Sequence, residues 1–237
     1  MPYRRLPNTD AARIKALKAA NAKGQELPPF KLAFSQSTLH KVHSFLPAYQ
    51  KAMAETQQAY DKQVLKNKDY QVILKKAKLY ISHFIQVVNM AIMRGDLTEK
   101  EREYFGMIQC VNKLPPLNSE ADVIKWGEKL IHGEDIRKSK ALSPITNPTI
   151  AVVRVRYETF LDGYKFQKTL QRNYQRSQEK LATMRNEADS IIVDIWNEVE
   201  ATFAKLEDEE RRAEAKKYGL VYVFRKNELK KSETVKS

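Results

Sequence analysis

Lys165, Lys168, Arg172, Arg176 and Lys180 recur every three to four residues. On a helix, at about 100° per residue, they fall within an arc of about 120°. Glu179 is the one acid in that arc. Cations along roughly 22 Å of helix have the spacing to follow phosphates, and such contacts need no particular base. Arg4, Arg5 and Arg13 add positive charge near the N-terminus. These eight residues are the candidate nucleic-acid contacts. The other reading of the same stripe is the solvent face of a helix, where Lys and Arg belong in any case.

Other chemistry finds less support. A di-iron site of the ferritin type needs Glu-x-x-His on facing helices, and no histidine here has a glutamate three residues before it. His40 and His43 fit one helix face, and two incidental histidines explain them as well. His83 falls in an apolar run and reads as a core or boundary histidine. Phosphate-loop, dinucleotide-binding and G-x-S-x-G patterns are missing. Cys110 sits among apolar residues, which suits packing rather than nucleophilic attack. The motif "IHGEDIR" gathers His132, Glu134, Asp135 and Arg137. That mix suits acid–base work, but a helix end with solvated charges is the ordinary reading. The expectation is a non-enzymatic protein with no cofactor and no metal.

The elements that carry these residues are helical. Few Gly (7) and Pro (9) and 30% charged residues lean away from a sandwich or barrel. The net charge of +13 raises the encounter rate with polyanions. A single cysteine rules out an intrachain disulfide and suits a reducing compartment, so a cytoplasmic protein is expected. The run Leu79–Met93 is too short and too polar to cross a bilayer.

Two stretches share a seam of three- and four-residue steps, the signature of coiled-coil-like packing. The first runs from Phe45 through Tyr49, Met53, Tyr60 and Tyr70 to Ile92, the second from Phe166 through Leu170 and Leu181 to Leu206. An offset of 111 lays Tyr70 on Leu181, Ala77 on Ala188, Phe84 on Ile195 and Val88 on Val199. Charged runs ending in aromatic-Gly follow each seam, at Phe105-Gly106 and Tyr218-Gly219. The pattern predicts an internal duplication, with both glycines as left-handed helix caps. "MIQCV" and "LVYVF" would then leave the caps as strands and pair as a small ribbon. Each seam fits one long helix or a hairpin, and the unbroken register favours the long helix. The seam also offers a surface for an oligomer.

Shorter signals fill in the rest. Asn8 or Thr9 caps a helix that Gly24 stops, and Asn118 or Ser119 caps another that Gly133 stops, with Val123, Trp126 and Leu130 on one face. Asn147, with Pro148 at the first position, caps the second long helix. The segments are therefore a basic arm with a short helix (1–34), a first helical repeat (35–106) and a connector with a short helix and a Pro-rich loop (107–148). A second repeat with a short strand (149–224) and a charged, fraying tail (225–237) complete the chain.

At "MPYRRLPNTDAARIKALKAA", "LPPFKLAFSQSTL", "SPITNPTIAVV" and "YGLVYVFRKNEL" the chain resembles a family of bacterial all-helical proteins of about this length. The resemblance implies a bacterial cytosolic protein. It also implies that the arm and the Pro-rich loop belong to the fold, and it transfers no site residue. The expected architecture is all-α: an elongated antiparallel bundle of long helices with internal duplication and a small two-stranded β element. The expected function is docking on RNA, DNA or a ribonucleoprotein. The alternative is a protein–protein scaffold or adaptor whose charge only solubilises.

Overall fold

The computed structural model describes residues 2–111 and 113–224. The expected fraying tail, 225–237, lies outside them. Five α-helices and two short strands are present among the described residues: β1 (Tyr3–Arg4), α1 (Asp10–Glu26), α2 (Gln36–Met93), α3 (Glu120–Ser139), α4 (Ile150–Thr202), α5 (Asp208–Lys217) and β2 (Tyr222–Val223). The first seam lies within one helix, and the second lies within α4 as far as Val199, with Phe203 and Leu206 beyond its end. α2 runs through Pro47 without a break, although proline removes one backbone donor and crowds the carbonyl four residues earlier.

The chain forms two compact units. Unit 1 comprises Met1–Ala59 with Tyr174–Ser237, and unit 2 is Tyr60–Asn173. Each unit takes the N-terminal half of one long helix and the C-terminal half of the other, with α1 and α5 in unit 1 and α3 in unit 2. Within each, α2 and α4 run antiparallel. In unit 1, Lys41 pairs with Asp194 and Glu55 with Lys180. In unit 2, Tyr70 stacks on Phe160 and Arg156 lies over the Tyr80 ring.

Burial follows the 111-residue offset. Leu39, Val42, Leu46 and Tyr49 are buried, as are Ile150, Val153, Tyr157 and Phe160. Tyr70, Ala77, Ile81, Phe84, Ile85 and Val88 are buried, as are Leu181, Ala188, Ile192, Ile195, Trp196 and Val199. The seam is less regular towards residues 53–60 and at position 166. Met53, Tyr60 and Phe166 are exposed, and Gln167 is buried in place of Phe166.

The caps hold in part. Thr9 accepts from the Ala12 amide and Ser119 from that of Asp122, and Ser119 forms a reciprocal capping box. Gly24 and Gly133, expected as stops, lie inside α1 and α3 instead. Both are close-approach glycines. A Cβ on Gly24 would sit 2.2 Å from Leu39 Cδ1, and one on Gly133 would sit 2.5 Å from the Tyr104 carbonyl oxygen. α4 begins at Ile150 rather than at Pro148. The amides of Val152 and Val153 donate to the Thr149 carbonyl, and Asn147 has φ 55°. Gly219 follows α5 with φ 90°, whereas Gly106, φ 62°, closes a turn after the 3-10 stretch Glu99–Glu103 and caps no α-helix.

The expected ribbon between "MIQCV" and "LVYVF" does not form. Residues 107–111 make turns, and β2 pairs antiparallel with β1, Tyr3 opposite Val223 and Arg4 opposite Tyr222. Strand propensity marked β2 but could not identify a partner over 200 residues away. The N-terminal residues are part of unit 1 and not a free arm: Ala16, Leu17 and Ala20 of α1 are buried in its core with Tyr49, Trp196 and Tyr218. The core of unit 2 is built from Phe84, Phe105, Val123, Leu130, Val153 and Phe160, among others.

Candidate functional site

The five stripe residues lie on α4, Lys165, Lys168 and Arg172 within unit 2 and Arg176 and Lys180 within unit 1. Lys165, Arg172, Arg176 and Lys180 are exposed. Two of the five are engaged. Lys168 reaches Glu120 at 3.6 Å and lies over the Tyr164 ring, and Lys180 pairs with Glu55 at 3.2 Å. Lys165, Arg172 and Arg176 make no ion pair among the described residues. They are the part of the stripe available to an outside anion.

The N-terminal candidates divide differently. Arg4 binds Asn197 at 2.7 Å and Glu200 at 3.2 Å, and so anchors β1 to α4. Arg13 grips Asp189 with two hydrogen bonds of 2.7 and 2.9 Å. Both are spent inside unit 1, because a guanidinium matches a carboxylate in this forked geometry. Arg5 alone of the three is exposed and makes no ion pair among the described residues.

Arg13 belongs to a network that ties α1 to both long helices. Asp10 accepts two hydrogen bonds from Arg185, both 2.7 Å, and one from the Tyr49 hydroxyl at 2.8 Å. The Arg185 hydrogen bonds hold the Asp10 carboxyl below its ordinary pKa despite partial burial, while burial and Asp10 push the Tyr49 hydroxyl up. Unit 2 has a counterpart in Glu120, the first residue of α3. It accepts from the Tyr70 hydroxyl at 2.5 Å and faces Lys168. Each acid also lies in the first turn of its helix, where the dipole favours negative charge.

The motif "IHGEDIR" is a solvated helix end only at His132 and Asp135, which are exposed. Glu134 and Arg137 are 0% and 1% exposed. Arg137 donates to Glu101 at 2.8 Å, to Glu134 at 2.9 Å and to the Ser143 carbonyl at 3.0 Å, with its guanidinium over the Phe105 ring. The other oxygen of Glu134 accepts the Ile145 amide at 2.8 Å. With each group engaged in this way, the cluster fastens the Pro-rich loop to α3 and presents no open chemistry. Sequence reading missed it because Glu101 lies 36 residues from Arg137. The nearby Asp135 pairs with Arg154 on the surface.

Other expected features also settle into structural roles. Trp126 is buried in the unit 2 core with Lys129 Nζ 5.0 Å from its ring centroid, so it is not an exposed docking residue. His83 is exposed rather than in the core, as are His40 and His43. The Tyr222 hydroxyl is bonded to Glu200 at 2.8 Å. Cys110 packs against the unit 2 core. A solvent-facing apolar row on α2 was not anticipated: Leu65, Val72 and Leu79 are 61%, 54% and 62% exposed at steps of seven. No helix among the described residues is long and apolar enough to cross a membrane. Comparison of the chain with family models, with curated proteins and with solved structures gives no match.

Proposed function

We propose that the protein is a non-enzymatic cytoplasmic binder of RNA or DNA that reads the phosphate backbone through α4. The observation that carries this reading is the set Lys165, Arg172 and Arg176. Each is exposed and free of ion pairs among the described residues, whereas Arg4 and Arg13 are consumed by Glu200 and Asp189. Lys165 and Arg172 stand about 10 Å apart along α4 within unit 2 at 1.5 Å per residue, Arg176 belongs to unit 1, and such contacts fix position without reading sequence.

Fluorescence anisotropy of a labelled duplex DNA and a labelled single-stranded RNA over a salt series tests this. Three phosphate contacts give a log–log slope of about −2.7 on duplex DNA. The combined substitution Lys165→Glu, Arg172→Glu and Arg176→Glu removes binding while leaving the melting temperature unchanged. Salt-independent binding, or full binding by the triple variant, overturns the reading.

The row of Leu65, Val72 and Leu79 favours the second reading, a protein–protein adaptor, because exposed apolar residues in register on one helix face suit a helical partner. A protein partner retained after nuclease and high salt, and lost when Leu65→Lys and Leu79→Lys are combined, decides for it.

A further inference from the structure

The turns at Gly219, after α5, and at Gly106, downstream of α2, share one hydrogen-bond pattern. The Gly219 amide donates to the Lys216 carbonyl and the Leu220 amide to that of Ala215. In unit 2, Gly106 donates to Glu103 and Met107 to Arg102. Each turn abuts the short helix of its own unit. Gly219 lies against Ala16 and Ala19 of α1, and Gly106 lies against the Lys129 side chain of α3. Counted from the caps Thr9 and Ser119, Ala16 corresponds to Trp126 and Ala19 to Lys129.

The two short helices therefore present equivalent faces with opposite fillings. In unit 2 the place is taken by an indole with an ammonium over its ring, 5.0 Å from the centroid. In unit 1 the alanines leave a cavity of about 550 Å3, within the range of small-molecule sites. Trp196, 1% exposed, lines it, where the residue 111 positions earlier is Ile85. Arg5, Lys15 and Lys216 stand around it, all exposed and none with an ion-pair partner among the described residues. No acid lines it.

We infer that this unit 1 cavity is a binding site for a small aromatic carboxylate, with the aryl ring seated in the alanine-lined space against Trp196 and the carboxylate towards Arg5, Lys15 and Lys216. Unit 2 carries the aromatic part of that arrangement covalently, as Trp126. A flat ring matches the small side chains Ala12, Ala16 and Ala19 that line the space. The anion matches a rim of three unpaired cations, which in an empty cavity repel one another. Asn and Gln amides are few here, so selectivity rests on shape and charge.

Isothermal titration of the full chain with 2-naphthoate, and separately with neutral 2-naphthamide, tests the assignment. One saturable site is expected for the carboxylate, with the amide about tenfold or more weaker. Ala19→Leu, which fills the cavity, and the combined Lys15→Glu and Lys216→Glu, which reverses the rim, each weaken naphthoate by a similar factor. The rim variant is on the surface and keeps the test decisive even if Ala19→Leu disturbs folding. RNA affinity is unchanged in Ala19→Leu, which separates this site from the α4 stripe. Absence of saturable heat, equal binding of the amide, or full binding by the rim variant overturns it.

Discussion

Unit 1 and unit 2 each set a side-chain-capped shorter helix, α1 or α3, against two antiparallel long-helix halves, yet they hold that helix by different means. α3 is fixed by a dry charge cluster, Glu101–Arg137–Glu134, whose members are almost wholly out of water. α1 is fixed by Asp10, Arg13, Arg185 and Asp189, whose side chains keep 12–42% of their exposure. Charges removed from water are costly unless every partner is present. Charges at the edge are screened and worth less each. Similar backbones thus tolerate opposite electrostatic solutions, and unit 2 is the one with little margin for a lost partner.

The sharpest way to break this contrast is Arg137→Met. It strands Glu101 and Glu134, and a loss of about 3–5 kcal/mol is expected in urea denaturation. A loss under about 1 kcal/mol would mean that the dry cluster is no more critical than the wet one. Next come the two misread glycines. Gly133→Ala drives a methyl into the Tyr104 carbonyl and the Phe105 ring, for about 1–3 kcal/mol. Gly24→Ala meets the side chain of Leu39 and no backbone atom, and the helix-propensity gain of about 1 kcal/mol offsets part of the crowding. Equal melting temperatures for the two variants would refute the difference.

Asp10→Asn is expected to cost about 1 kcal/mol after allowing for solvent screening. Because the folded carboxyl titrates below its ordinary pKa of 3.8, its contribution is complete above that pH and is lost as the pH falls through the folded value. The gap between wild type and Asp10→Asn should therefore be constant near neutrality and close in acid. A gap that widened in acid would contradict the assignment. Tyr70→Phe removes one hydrogen bond to Glu120 and should cost about 0.5–1.5 kcal/mol. Lys165→Ala should change stability by less than about 0.5 kcal/mol.

The long helices were legible because burial on a helix leaves its period in the sequence. The offset of 111 recurs at ten buried pairs of the long helices, from Leu39 with Ile150 to Val88 with Val199, and fails at others such as Phe45 with Arg156 and Leu74 with Arg185. What periodicity does not encode is the partner. Arg13 looked like a free cation because Asp189 is 176 residues away, and β2 looked like one half of a local ribbon because Tyr3 is at the other end of the chain. Gly24 and Gly133 read as stops because glycine does end helices. Only the third dimension shows that its missing side chain makes room for a neighbour. The candidate stripe on α4 was readable as a stripe, but which of its cations were already taken was not.

The pairing of Tyr3–Arg4 with Tyr222–Val223 also sets an order of events on the ribosome. Unit 2 is one uninterrupted stretch, 60–173, and can close while translation continues. Unit 1 must hold α1 and the first half of α2 in waiting until the final strand has emerged, with the apolar face of Leu17, Ala20, Val42 and Tyr49 uncovered meanwhile. Nascent chains long enough for residue 173 to have cleared the ribosome would carry a finished unit 2 and a half-built unit 1, the stage at which a chaperone has most to bind.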